Sequence, residues 1–108
     1  MISNKGKLIL VSLLLILVSA CSSKDPDLAI GEKIYTGACK VCHSQGINGA
    51  PVFGNEKNWG PRKAQGLDVL VEHASNGFGL MPAKGGKAEL TEDQIRAAIK
   101  YMLSALEE

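Results

Sequence analysis

Cys39, Cys42 and His43 stand together in the stretch GACKVCHSQG. Two thiols three positions apart, with an imidazole directly behind the second, form the CxxCH pattern that reads as c-type haem attachment. Near the C-terminus of a helix this spacing lets both sulfurs reach two vinyl groups of one porphyrin, and it aims His43 at the iron as proximal ligand. Other uses of these residue types fit less well. A thioredoxin-like CxxC belongs in a βαβ setting, and no such pattern is visible. A structural zinc site takes four ligands, usually from two separated pairs; only His73 is left to complete one, and adjacent Cys42 and His43 would crowd a single ion. A simple disulfide is compatible with export but leaves His43 without a role.

The second axial ligand decides what such a haem can do. Met81, in GLMPAKGG, lies far enough downstream to fold over the other haem face. A methionine sulfur in that position stabilises reduced iron relative to two histidines; a closed iron suits electron transfer and excludes oxygen. The alternative for Met81 is plain core packing. Met102 sits on an apolar helical stripe, where packing is the better reading, and His73 reads as a surface or capping histidine. Iron-bound imidazoles donate their other N–H to a fixed acceptor, for which the Pro51 carbonyl is the candidate. Trp59 and Arg62 carry donors suited to haem propionates; their alternatives are a core aromatic and a surface cation.

The elements that position these residues are helical. Asp25 can cap a helix with Pro26 at its first position, and Ile30, Ile34 and Ala38 recur along one face that runs into the motif. Leu67, Leu70, Val71 and Ala74 mark a second helix, stopped at Asn76-Gly77. Thr91 and Gln94 form a capping box before a stripe of Ile95, Ala98, Ile99, Met102 and Leu106. Between them, residues 44–66 mix glycine and proline with no apolar period. They read as a structureless loop wrapped around a cofactor. No segment alternates with period two, so the domain is all-α.

The first residues describe export. Lys5 and Lys7 precede the apolar run Leu8–Val18, which falls short of the ~20 residues that span a bilayer, and small residues follow it, as in a secretory signal. The alternative is an uncleaved membrane anchor. Val18-Ser19-Ala20-Cys21 resembles a bacterial lipobox, in which Cys21 becomes the lipid-modified N-terminus and its acyl chains hold the protein to a membrane. Ordinary cleavage beside a free cysteine is the other reading. The chain thus divides into a signal at 1–20, a lipidated cysteine and linker at 21–26, and a domain at 27–108. Ser22 and Ser23 lack the aspartate associated with inner-membrane retention, a hint toward the outer membrane.

The 108 residues hold 12 basic and 11 acidic side chains, net +1. Loss of Lys5 and Lys7 with the signal turns this to −1. Near neutrality argues against nucleic acid, which rewards a clustered basic excess. The mature domain is small and glycine-rich, a size at which a staple beyond the chain's own core is usual. A covalently bound haem supplies one.

The stretches YTGACKVCHSQGINGAP, WGPRKAQGLDVLVEHA, GFGLMPAKGG and ELTEDQIRAAIKYML, taken in this order, resemble the class I c-type cytochromes and specifically the cytochrome c5 family. The resemblance covers nearly all of residues 35–103. It implies a small monohaem fold in which first and last helices cross, Gly31 and Tyr35 meeting the face around Ala98 and Tyr101. It also implies His43 and Met81 as axial ligands of one haem c. One departure stands out: the family commonly carries two cysteines after the Gly-Gly pair, where this chain has Lys87 and Leu90. The function implied is a membrane-tethered periplasmic electron carrier, not an enzyme, with redox proteins as partners and no small-molecule substrate. Lys57, Arg62, Lys63, Lys84 and Lys87 are candidates to ring the haem edge and steer an acidic partner; an ordinary solvated surface is the alternative. The competing function is a haem enzyme or gas sensor with a labile Met81.

Overall fold

The computed structural model describes residues 25–106; the export signal and Cys21 lie outside them. Helix α1 (Pro26–Ile34) starts at Asp25, whose carboxylate accepts from the Asp27 N–H at 2.9 Å. It continues through a π-helical turn, Tyr35–Cys39, into the short α2, Lys40–His43. The turn is closed by the Lys40 N–H on the Tyr35 carbonyl. Such wide turns collect at functional sites because the extra residue re-aims the side chains that follow. Here Tyr35 is buried in the core while Cys39 and His43 reach a cavity.

Helix α5 (Glu92–Ser104) is the clearest element, and its capping box is complete. The Gln94 N–H donates to Thr91 Oγ1 at 3.2 Å and the Thr91 N–H to Gln94 Oε1 at 3.0 Å. It crosses α1 at Gly31, where a Cβ would lie 2.7 Å from the Ala97 carbonyl carbon and 2.8 Å from Tyr101 Cβ. The crossing implied by the family resemblance is present: Gly31 meets the Ala97 backbone and Tyr101, and Ala98 beside them is buried and also lines the cavity. Tyr35, Phe53 and Tyr101 close the crossing as a triangle of rings with centroids 4.9, 5.3 and 5.5 Å apart. Lys100 pins the start of α1 to α5 with ion pairs to Asp27 at 2.6 Å and Asp25 at 2.9 Å. Helix α4 (Leu67–Asn76) buries Leu70, Val71 and Ala74, and Arg96 of α5 pairs with its Asp68 at 2.8 Å.

The expected loop over 44–66 is not structureless. It holds a 3₁₀ turn at Ile47–Gly49 and helix α3, Glu56–Lys63. Asn55 caps α3 by accepting from the Asn58 N–H at 3.0 Å. Pro61 lies inside α3 and, having no N–H, leaves the Lys57 carbonyl without the donor four residues on that a helix normally supplies. The helix left no periodic signature because it buries a single side chain, Trp59. Its register is set by one anchor and not by a stripe. There is no strand among the described residues, only an isolated bridge between Phe78 and Met81.

Candidate haem site

The helices enclose a cavity of about 510 Å³, within the usual range for cofactor sites. Much of what would be a hydrophobic core is its wall: Trp59, Leu70, Ala74, Ile95, Ile99 and Met102 belong both to the core cluster and to the lining. The wall is built for a large apolar occupant.

Cys39, Cys42, His43, Pro51, Trp59, Arg62 and Met81, predicted from five separate places in the chain, all line this one cavity. His43 is 7% exposed, and its Nδ1 lies 2.9 Å from the Pro51 carbonyl oxygen. A carbonyl can only accept, so Nδ1 carries the proton and Nε2 the lone pair. Burial pushes the His43 pKa down, the bond to Pro51 opposes that shift, and the Arg62 charge adds to it. The outcome favours a neutral imidazole with its Nε2 lone pair free, the form that binds metal. Cys39 and Cys42 are not bonded to each other. Burial, with Cys42 nearby, pushes the Cys39 thiol up to about 11, so it rests protonated and is a poor nucleophile on its own.

Met81 is delivered by a tight reversal. The Phe78 N–H donates to the Met81 carbonyl at 3.0 Å and the Met81 N–H to the Phe78 carbonyl at 2.9 Å. Gly77 makes the approach possible: its φ is +89°, and a Cβ there would lie 3.1 Å from the Ala83 nitrogen and 3.2 Å from the Met81 oxygen. His73 stacks on Phe78, ring centroids 3.9 Å apart and 11° from parallel, and also reaches the cavity lining. Met102 is buried in the core. At the positions where the family commonly has cysteines, the Leu90 N–H donates to the Lys87 carbonyl at 3.0 Å, and Leu90 packs on the core. A turn and a partly buried leucine thus hold the segment after Met81.

The indole N–H of Trp59 donates to the Val52 carbonyl at 3.0 Å, and Arg62 Nη1 donates to the Asn58 carbonyl at 2.6 Å. Both donors expected to face propionates therefore have protein partners in this structure. Of the five cations expected around the opening, Arg62 and Lys84 line the cavity, whereas Lys57, Lys63 and Lys87 are exposed outside its lining. Among the described residues no three His, Cys, Asp or Glu converge to hold a bare ion, so the zinc alternative has no ligand set. Asn58 and Val52 were not singled out from the sequence, since nothing in residue type or spacing marks a side-chain amide that bonds a backbone N–H six residues earlier.

Residues 26–102 match the family described as cytochrome C oxidase, cbb3-type, subunit III. The chain is 43% identical over 81 residues to cytochrome c-555 of Chlorobaculum tepidum, covering 71% of this chain and 75% of that one. It is 38% identical over 73 residues to cytochrome c5 of Ectopseudomonas mendocina, covering 66% and 84%. The chain belongs to the class I c-type cytochromes, with the cytochrome c5 family among its relatives. A chain in the crystal structure of an electron transfer complex of nitrite reductase with cytochrome c superposes with a TM-score of 0.69 at 43% identity, covering 78% of this chain and 99% of that one. This cytochrome is accordingly an all-α monohaem electron carrier with covalently bound haem c, not an enzyme. No helix among its described residues is long and apolar enough to cross a membrane.

Proposed function

We propose that Cys39 and Cys42 hold the haem by thioether links, that His43 and Met81 are its axial ligands, and that the cytochrome works tethered through Cys21 to the periplasmic face of a bacterial membrane. The haem supplies a reversible one-electron change at iron; everything else is done by the chain. The observation that carries the ligand set is the His43 Nδ1–H bond to Pro51 in the cavity that Met81 also lines. That bond settles which imidazole nitrogen is free. The apolar wall excludes water, which favours the less charged reduced state, and Trp59 and Arg62 shape the cavity beside His43. Ring stacking at 5.9 Å places Trp59 alongside His43.

The partners are redox proteins, as in the electron transfer complex that holds the structural neighbour. Arg62 and Lys84 at the cavity, with Lys57, Lys63 and Lys87 further out, suit encounter with an acidic surface, a salt-sensitive effect on association rate. The tether is supported by the signal and lipobox pattern at 1–21. From Cys21 to Pro26 the linker reaches only ~20 Å when extended, which keeps the domain close to the membrane, and Ser22-Ser23 favours the outer one.

The test is the spectrum. The oxidised protein is expected to show the weak long-wavelength band of methionine-ligated ferric haem, and the reduced protein not to bind carbon monoxide. Met81→Ala should retain covalent haem, lose the band and bind carbon monoxide. Rapid carbon monoxide binding by the unaltered protein would refute the closed ligand set and favour a labile Met81.

A further inference from the structure

The Pro51 carbonyl that accepts from His43 belongs to the same peptide unit as the Val52 N–H. That unit is planar and trans, so its C=O and N–H point in opposite directions. At the far end, the Val52 N–H donates to Asn58 Oδ1 at 3.1 Å. The Asn58 amide must present its oxygen there, because the group it faces is a donor. One peptide plane is thus bonded at both ends: His43 Nδ1–H to the Pro51 oxygen, and the Val52 N–H to the Asn58 side chain.

The next peptide unit is held in the same way. The Phe53 N–H donates to the His43 carbonyl at 2.7 Å, and the Val52 carbonyl accepts from Trp59 Nε1 and from the Asn55 N–H, both at 3.0 Å. The carbonyl therefore keeps a partner if either donor is removed. Among the described residues the Val52 N–H has only Asn58. Asn58 is itself fixed, its N–H on Asn55 Oδ1 at 3.0 Å and its carbonyl under Arg62 at 2.6 Å.

We propose that Asn58 is a positioning residue for His43, acting through the peptide unit between Pro51 and Val52. Hydrogen bonds in a chain polarise one another, by about 10–30% per bond. An acceptor on the Val52 N–H makes the Pro51 oxygen more negative, and a more negative oxygen draws the Nδ1 proton and enriches the imidazole in electron density. Outer partners of this kind tune a metal's ligand. A richer imidazole stabilises oxidised iron, so Asn58 holds the reduction potential down. It does this from a helix that makes no bond to His43 itself. The inference rests on His43 being an iron ligand, and the spectrum described above tests that point separately.

The experiment compares three variants of the holoprotein by midpoint potential and by proton NMR of the His43 Nδ1–H in the reduced state. Asn58→Leu removes the acceptor and keeps the bulk; the potential should rise, and exchange of the Nδ1 proton with solvent should quicken by up to about twofold, the share of one ordinary hydrogen bond that polarisation along the chain supplies. Asn58→Asp replaces the amide by a stronger acceptor; the potential should fall and the Nδ1 proton should move downfield. Asn55→Asp puts the same charge on the cap of α3 without touching the Val52 N–H, and should shift the potential less than Asn58→Asp. Equal shifts in the two aspartate variants would reduce the effect to plain charge and overturn the relay. So would Asn58→Leu that lowers the melting temperature yet leaves both readouts unchanged. If Asn58→Leu fails to fold, the aspartate pair still decides.

Discussion

Gly31→Ala puts the crossing of α1 and α5 under the most direct strain the structure allows. The new methyl would sit 2.7 Å from the Ala97 carbonyl carbon and 2.8 Å from Tyr101 Cβ, where carbon atoms ordinarily keep ~3.5 Å or more. The Ala97 carbonyl oxygen is nearer still, and none of these atoms is the loose end of a flexible side chain, so the helices must separate by at least roughly 0.7 Å. Alanine in place of glycine favours a helix by ~0.5–1 kcal/mol, while overpacking a close contact costs ~1–3 kcal/mol. The contact term wins, with a net loss of about 1–2 kcal/mol. For a domain of this size each kcal/mol moves the melting temperature by ~4–8 °C, so a fall of roughly 5–15 °C is expected. Circular dichroism at 222 nm on the oxidised holoprotein measures it. A melting temperature equal to or above that of the wild type would show that helix propensity prevails and that the crossing is looser than the distances indicate.

Other consequences follow from the ends of the same helix. Asp25 is held below its ordinary 3.8, first by the hydrogen bond from Lys100 and then by that from the Asp27 N–H. A depressed carboxylate adds stability above its ordinary value and loses it as the pH falls through the folded one. Asn caps a helix as well as Asp does, so Asp25→Asn isolates the ion pair. It should melt below the wild type at neutral pH, and the gap should narrow as the pH falls below 3.8 and through the folded value; a gap that stays constant into acid would contradict this. For the tether, Cys21→Ser should move the haem protein from the membrane fraction to the soluble one on cell fractionation. Unchanged membrane association would remove lipidation from the proposal.

What was legible in the sequence is what short covalent spacing decides. CxxCH places two sulfurs and an imidazole within one turn, and the caps at Asp25 and Thr91 bond partners two and three residues away. Such features hold whatever the rest of the chain does. Helices α4 and α5 were legible because an apolar stripe repeats along each; α1 was legible from its cap, but the face expected for it is not the one it packs, since Ile30 is exposed and Gly31 is buried. Helix α3 was not, because one tryptophan orients it and a single residue has no period. The nature of the cofactor was therefore readable from ten residues, whereas the quality of its site was not.

Only the tertiary structure decided which distant groups meet. Met81 reaches the cavity because Gly77 can adopt φ of +89° beside the Ala83 backbone. Gly31 meets the Ala97 backbone and Tyr101 Cβ because, with no Cβ of its own, it lets α1 and α5 approach at that point. The Pro51–Val52 peptide finds His43 on one side and Asn58 on the other because α3 packs its one buried ring beside the imidazole. Those contacts depend on packing between segments with no fixed separation in the chain. Sequence alone determined that a haem is bound here; the fold decided how its histidine is held.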